Sequence, residues 1–211
     1  MADFVLADAR HCVPVGSEVA LERAVLVEPY AVALHALHQV GVAGRRVAVV
    51  GIGSLGICVV EAAVRAGAAA VVAVSRSASA LETPRRAGAT EAVAAEDAAG
   101  IDAEIVLETG GSDAAVMTSI AAVRRGGTVV ILGGHVRPTS VDLLDVTVRE
   151  LALQGSVSHC FADFAAAAEA IGRGELAHVD RPFELAPLEA GPALLRDEGP
   201  SPKRILVPGL A

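Results

Sequence analysis

The chain has 211 residues, enough for one full domain and part of a second at roughly 150 residues each. Apolar residues make up 53% of it and mean hydropathy is +0.54, so a disordered chain is excluded. The formal net charge is −8 with no basic stripe, which argues against nucleic acid and against an anionic membrane surface as partners.

Aromatic residues are only 2% of the chain, so its core must be built from small, closely spaced elements. After a mixed segment over 4–15, the apolar spacing of Leu26, Val32, Leu34, Leu37 and Val40 predicts a helix over 24–40. Val47-Ala48-Val49-Val50 is a continuous apolar run, the pattern of a strand buried on both faces. A glycine-rich turn over 51–56 and a helix-length segment to residue 66 follow. A second buried strand is predicted over 70–74, a helix over 77–86 and a weak third strand over 90–93. A fourth strand covers 104–107, and Ser112 N-caps a helix predicted to reach 125. Arg125-Gly126-Gly127 is expected to turn the chain into a fifth strand over 128–132, and a sixth lies near 151–154. An alanine-rich helix over 163–171, proline-punctuated pieces and a terminal strand over 203–207 complete the series.

Wholly apolar strands alternating with helices mean an α/β fold, a doubly wound parallel sheet covered on both sides. Only about ten residues link the third and fourth strands, fewer than the dozen usual for a parallel crossover. That side of the sheet is therefore expected to be poorly covered. The division read from the sequence is 1–40 as a remnant of a second domain with a leading helix, 41–175 as the doubly wound domain, and 176–211 as a returning segment.

Cys12, Cys58 and Cys160 lie far apart with no Cys-x-x-Cys, which excludes a disulfide framework and a four-cysteine zinc site. The uncharged stretches 29–44 and 47–60 are too short and too broken to span a bilayer, and no signal peptide is visible. The expectation is a soluble, cytoplasmic protein without a membrane partner.

Gly51-Ile52-Gly53-Ser54-Leu55-Gly56 stands where a dinucleotide fingerprint requires it, after a buried strand and at a helix start. Gly51 permits the tight turn, Gly53 lets the backbone approach a pyrophosphate, and Gly56 lets the helix pack on the strand. The free amides of Ser54, Leu55 and Gly56 and the helix dipole then favour phosphate oxygens. A methyltransferase-type nucleotide site and a plain glycine turn are the other readings of this loop. About twenty residues further on, where an NAD site carries an acidic residue, this chain has Ser75 followed by Arg76. The missing carboxylate and the adjacent guanidinium favour a 2′-phosphate, hence NADP over NAD, against a solvated Arg76 beside a permissive NAD site.

Several segments resemble the polyol-type, zinc-dependent medium-chain dehydrogenases, with sorbitol, threonine and butanediol dehydrogenases as the nearest relatives. They are Val27-Glu28-Pro29-Tyr30-Ala31-Val32-Ala33-Leu34-His35-Ala36-Leu37, Arg125-Gly126-Gly127-Thr128-Val129-Val130-Ile131-Leu132-Gly133-Gly134, 149–156 and 202–207. The resemblance implies hydride transfer between an alcohol or polyol and a nicotinamide cofactor, and pairing of cofactor domains into a homodimer along the edge strand near 128–136. It also implies that Thr109 and Gly110 pass the adenine side, and that Gly133, Gly134 and Val157 lie near the nicotinamide carboxamide. Glu28 matches the family's glutamate facing the catalytic zinc. The family's N-terminal catalytic domain, with its cysteine ligand and Gly-His-Glu motif, would lie before Met1. The expectation is therefore a chain reduced to the cofactor-binding part, with no zinc of its own and no alcohol oxidation alone. A dinucleotide-binding or sensing module without catalysis is the alternative.

His35 and His38, one turn apart, read as a structural pair, and Cys12 beside His11 lacks a third ligand. The sole tyrosine, Tyr30, begins no Tyr-x-x-x-Lys motif, which removes a short-chain dehydrogenase mechanism.

Overall fold

β-Branched residues dominate the central strands, because side chains that stand off a pleated backbone on both faces fill a sheet buried on both faces. In a computed structural model, which describes residues 4–76, 81–174, 183–194 and 203–209, these runs form one parallel six-stranded sheet. Its strands are β1 (Arg46–Val50), β2 (Ala70–Ser75), β3 (Glu91–Ala94), β4 (Ala103–Glu108), β5 (Val123–Ile131) and β6 (Ala152–Gly155). The spatial order is β3-β2-β1-β4-β5-β6, the order of a doubly wound nucleotide-binding sheet. In the central register Val47 lies between Val71 and Ile105, and Val50 between Val74 and Glu108.

Alternation sorts the strand residues onto two cores. Val47, Val49, Val71, Ala73, Ile105, Leu107 and Val130 face α2 (Val27–Val40), which follows the short α1 (Leu21–Ala24), and also α3 (Ser54–Arg65) and α7 (Phe161–Gly172). Ala33 and Ala36 of α2 and Ala167 and Ala170 of α7 are fully or nearly buried, and their small side chains let α2 sit against both α3 and α7. Tyr30, 1% exposed, is the largest residue of this core. Ala48, Val50, Val72, Val74, Val106 and Val129 face the opposite side, under α5 (Asp113–Ala122).

That opposite side is well covered, contrary to the sequence expectation. The short link folds as a 3₁₀ segment, Ala95–Gly100, whose Ala98 is buried together with Ile101 over Val72 and Val74. A 3₁₀ helix rises about 2.0 Å per residue against 1.5 Å for an α-helix, so few residues suffice to cross the face. The helix expected to reach 125 ends at Ala122. Beyond it the pairing jumps from Ala103–Val123 to Ile105–Thr128, so Arg125-Gly126-Gly127 forms a bulge within β5, with Gly126 at φ +69°. The helix α6 (Leu143–Arg149) was not read from the sequence. Asp142 caps it by accepting from Leu144 N at 2.8 Å, and Arg149 closes it by donating to Ile120 O at 2.9 Å and to Val123 O.

The predicted helix over 77–86 appears as α4 (Glu82–Arg86), and residues 77–80 lie outside the described residues. At the C-terminal end β7 (Phe183–Pro187) and β8 (Lys203–Val207) pair in parallel as a separate two-stranded sheet, with the short α8 (Gly191–Leu194) between them. Among the described residues no helix is long and apolar enough to cross a membrane.

Candidate dinucleotide site

In a doubly wound sheet the crevice for a ligand opens at the carboxyl ends of the strands, where the order reverses. Here the reversal falls between β1 and β4, and Gly51 and Thr109 follow those two strands. Gly51 has φ +97°, a conformation that side chains rarely adopt, and a Cβ there would lie 2.6 Å from the Gly110 amide. The two turns therefore touch backbone to backbone. Thr109 N donates to Val50 O at 2.9 Å, and its hydroxyl donates to Gly51 O at 2.5 Å, locking the turns together.

Gly53 differs from its neighbours in that a Cβ would meet nothing within 4 Å. It is the N-cap residue of α3 and supplies no side-chain cap, so the first-turn amides of Ser54, Leu55 and Gly56 face this open space without a side-chain acceptor. Gly56 is buried, and a Cβ on it would press into the Gly51 carbonyl and approach Thr109 Oγ1 at 3.0 Å. Open backbone at Gly53, a helix start aimed at it and close packing at Gly56 together fit a pyrophosphate.

At the end of β2, Ser75 is buried and Arg76 is exposed; no carboxylate follows the strand before the described chain breaks at 77. Gly133 and Gly134 follow β5 and lie against the β4–α5 turn, where a Cβ on Gly111 would come within 3.0 Å of Gly134 O. Val157, beyond β6, is 84% exposed, and nothing among the described residues ties it to the glycine turn. Glu28 is exposed in the first turn of α2.

Sequence reasoning missed Glu108, the last residue of β4, which is fully buried. Its Oε1 accepts from Gly111 N at 2.7 Å and its Oε2 pairs with His135 Nε2 at 3.1 Å. Its backbone carbonyl accepts from Leu132 N and Gly133 N at 2.8 and 3.0 Å. One residue thus holds both loops that border the crevice. The available signal was a carboxylate closing an apolar strand directly before Thr109-Gly110-Gly111.

A second cluster lies on the α2–α7 side. His35 Nδ1 and His38 Nδ1 meet the two carboxylate oxygens of Asp163 at 2.8 and 2.9 Å, and the Cys160 thiol donates to Asp163 Oδ2 at 3.0 Å. Burial opposes the charge on Asp163, but hydrogen bonds from the Cys160 thiol and amide, His35 and His38 overcome it and hold the carboxyl well below the usual carboxylate range. A separation of more than 120 residues between the histidines and this carboxylate left no signal in the sequence.

The six-stranded parallel sheet and the glycine turn at its switch point define a Rossmann-type fold. Residues 54–173 match the zinc-binding dehydrogenase family, and the chain belongs to that family. It is 36% identical to sorbitol dehydrogenase of Gallus gallus over 165 residues, covering 72% of this chain and 46% of the relative. It is 31% identical to the human sorbitol dehydrogenase over 170 residues, 74% of this chain and 48% of the relative. The chain thus spans about half the length of the curated relatives it matches. Among solved structures, L-idonate 5-dehydrogenase from Escherichia coli superposes with a TM-score of 0.86 at 24% identity, covering 96% of this chain and 62% of that one, a likeness of fold. A zinc-binding dehydrogenase from Sinorhizobium meliloti bound to NADP gives 0.81 at 25% identity, covering 92% and 61%.

The zinc that the family name implies finds no home around Glu28. It is exposed, and among the described residues no histidine, cysteine or further carboxylate joins it in a donor group. One carboxylate cannot supply the three protein ligands of a catalytic zinc.

Proposed function

We propose that this chain is the cofactor-binding part of an alcohol or polyol dehydrogenase and that it prefers NADP(H) to NAD(H). The observation that carries the reading is the open backbone at Gly53 facing the uncapped start of α3, at the switch point of the sheet. In this reading the amides of Ser54, Leu55 and Gly56 hold the pyrophosphate. Ser75 and Arg76 border the adenosine ribose, with Arg76 reaching a 2′-phosphate. Thr109 and Gly110 line the adenine side, and Gly133, Gly134 and Val157 lie toward the nicotinamide. When bound, the cofactor supplies hydride transfer, and the chain's part is to orient it and fix its charge. Residues 41–175 form the dinucleotide-binding unit, and 1–40 and 176–211 belong to a second domain that lines the alcohol pocket. The strand over 128–132, expected at the edge, lies inside the sheet between β4 and β6, so pairing of the unit with a second copy would use the β6 edge instead.

Ser75 brings no carboxylate to repel a 2′-phosphate. A charge-assisted hydrogen bond from Arg76 is worth roughly 1.5–3 kcal/mol, so NADP(H) should bind on the order of tenfold to a hundredfold more tightly. The test is titration of NADPH and NADH against the wild type, Arg76→Ala and Ser75→Asp. Arg76→Ala should lose the preference by weakening NADPH alone, and Ser75→Asp should reverse it. Equal affinities in the wild type, or no loss in Arg76→Ala, would reduce Arg76 to a solvated surface charge. The isolated position of Glu28 favours a second reading, a dinucleotide-binding module without catalysis.

A further inference from the structure

We propose that His35, His38, Cys160 and Asp163 form a four-donor site for a divalent transition metal of the zinc type, clamping α2 to α7. The spacing of three on α2 places both imidazoles on one helix face. That face packs against the start of α7, where Cys160 is the N-cap and Asp163 stands three residues on. Ligand atoms of His35, Cys160 and Asp163 all lie within 4.8 Å of one another, and His38 reaches the same carboxylate from the other side.

The donor set selects the metal. Two imidazoles, one thiolate and one carboxylate suit Zn²⁺ or Co²⁺ and disfavour Mg²⁺ and Ca²⁺, which take oxygen ligands. Each hydrogen bond that now closes the cluster points at Asp163, and a metal would take the place of those protons. Cys160 would release its thiol proton to solvent, and each neutral histidine would carry its remaining proton on Nε2. Thiolate and carboxylate then balance the ion's two charges, which outweighs the opposing dipole at the start of α7. Bonds of 2.0–2.3 Å in a tetrahedron separate donors by about 3.3–3.7 Å. The contacts of His35, His38 and Cys160 to the Asp163 carboxylate, at 2.8–3.0 Å, need to open by about half an ångström, and His38, which meets the other carboxylate oxygen, has to rotate in to join the three donors already within 4.8 Å of one another. Access is not a barrier. The Asp163 side chain is 6% exposed, but His38 is 65% exposed and Cys160 lies at the surface.

The test uses the full chain, stripped with a chelator under reducing conditions and titrated with Co²⁺, followed by displacement with Zn²⁺. One equivalent of cobalt should give a saturable thiolate-to-cobalt charge-transfer band, and zinc should abolish it. Cys12→Ser should leave the band intact and Cys160→Ser should remove it. His35→Gln and His38→Gln should each weaken binding by more than about a hundredfold, beyond the roughly 10–100-fold loss typical of a residue that only supports a ligand. The hydroxyl of Cys160→Ser can still cap α7, so this variant retains its fold. No saturable band, a band surviving Cys160→Ser, or histidine variants that bind like the wild type would each overturn the site. Such a result would leave the four side chains as a hydrogen-bonded helix cap. None of these readouts depends on dinucleotide binding.

Discussion

Gly51 and Gly53 sit two residues apart, yet different forces hold them as glycine. At Gly51 the reason is the fold itself, because φ is +97° and the Gly110 backbone fills the space of a side chain. Gly51→Ala should therefore destabilise by about 1–3 kcal/mol or more, read as a lower melting temperature whether or not nucleotide is present. At Gly53 the backbone is ordinary, with φ −97°, and a methyl group would enter empty space. Gly53→Ala should hold stability within about 0.5 kcal/mol and still weaken dinucleotide binding on the order of tenfold or more, by standing where the pyrophosphate approaches. A thermal melt and a cofactor titration on the two variants separate these effects. If Gly53→Ala binds NADPH as the wild type does, the pyrophosphate does not lie on this turn.

Elements here are joined by a few polar side chains that reach from one to the next. Glu108 ends β4, takes the Gly111 amide at the start of the following turn and pairs with His135 beyond β5. His135→Ala would leave one oxygen of a fully buried carboxylate without its partner. The expected cost is about 1–3 kcal/mol, a fall of several degrees in melting temperature, with the β4–α5 turn loosened as seen by faster amide exchange at Gly111. An unchanged melt would show that solvent satisfies Glu108 when the imidazole is removed. Arg149 does comparable work at α6, where its guanidinium takes carbonyls left open at the end of α5.

Across the whole molecule, the two edges of the sheet differ in what they present. β3 opens with the exposed Glu91, which pairs across β2 with Arg46 of β1, whereas Leu143, Leu144 and Val148 of α6 and Leu153 of β6 stand partly or largely exposed. An apolar strand edge invites pairing, and a twofold axis would let two such edges cover each other. Sedimentation should show a dimer at concentrations on the order of tens of micromolar, and Leu144→Glu should shift it to monomer. Monomer alone in the wild type would remove the edge as an interface. Oxidation of alcohols or polyols by this chain alone should be undetectable by NADPH production, because the described residues hold no zinc ligands around Glu28. Turnover with the chain as sole enzyme would place the chemistry elsewhere in it.

The sequence by itself determined the parallel sheet, the strand alternation and the glycine turn, because each is written in neighbouring residues. Continuous apolar runs, a Gly-x-Gly-x-x-Gly spacing and Ser112 as a cap are local signals with local physical causes. It also carried the family, through segments around Glu28, Gly133 and Arg149 that lie within or beside the matched region 54–173. It misjudged the link between β3 and β4, where a 3₁₀ segment covers what too few residues for an α-helix were expected to leave open. It placed the end of α5 late, because the carbonyls that stop this helix are taken by Arg149 from a distant element. Only the tertiary structure decided which polar residues meet. Glu108 with His135, and His35 and His38 with Cys160 and Asp163, are brought together by packing of helices and loops far apart in the chain. Periodicity reports which face of an element is buried; it does not report what lies opposite that face.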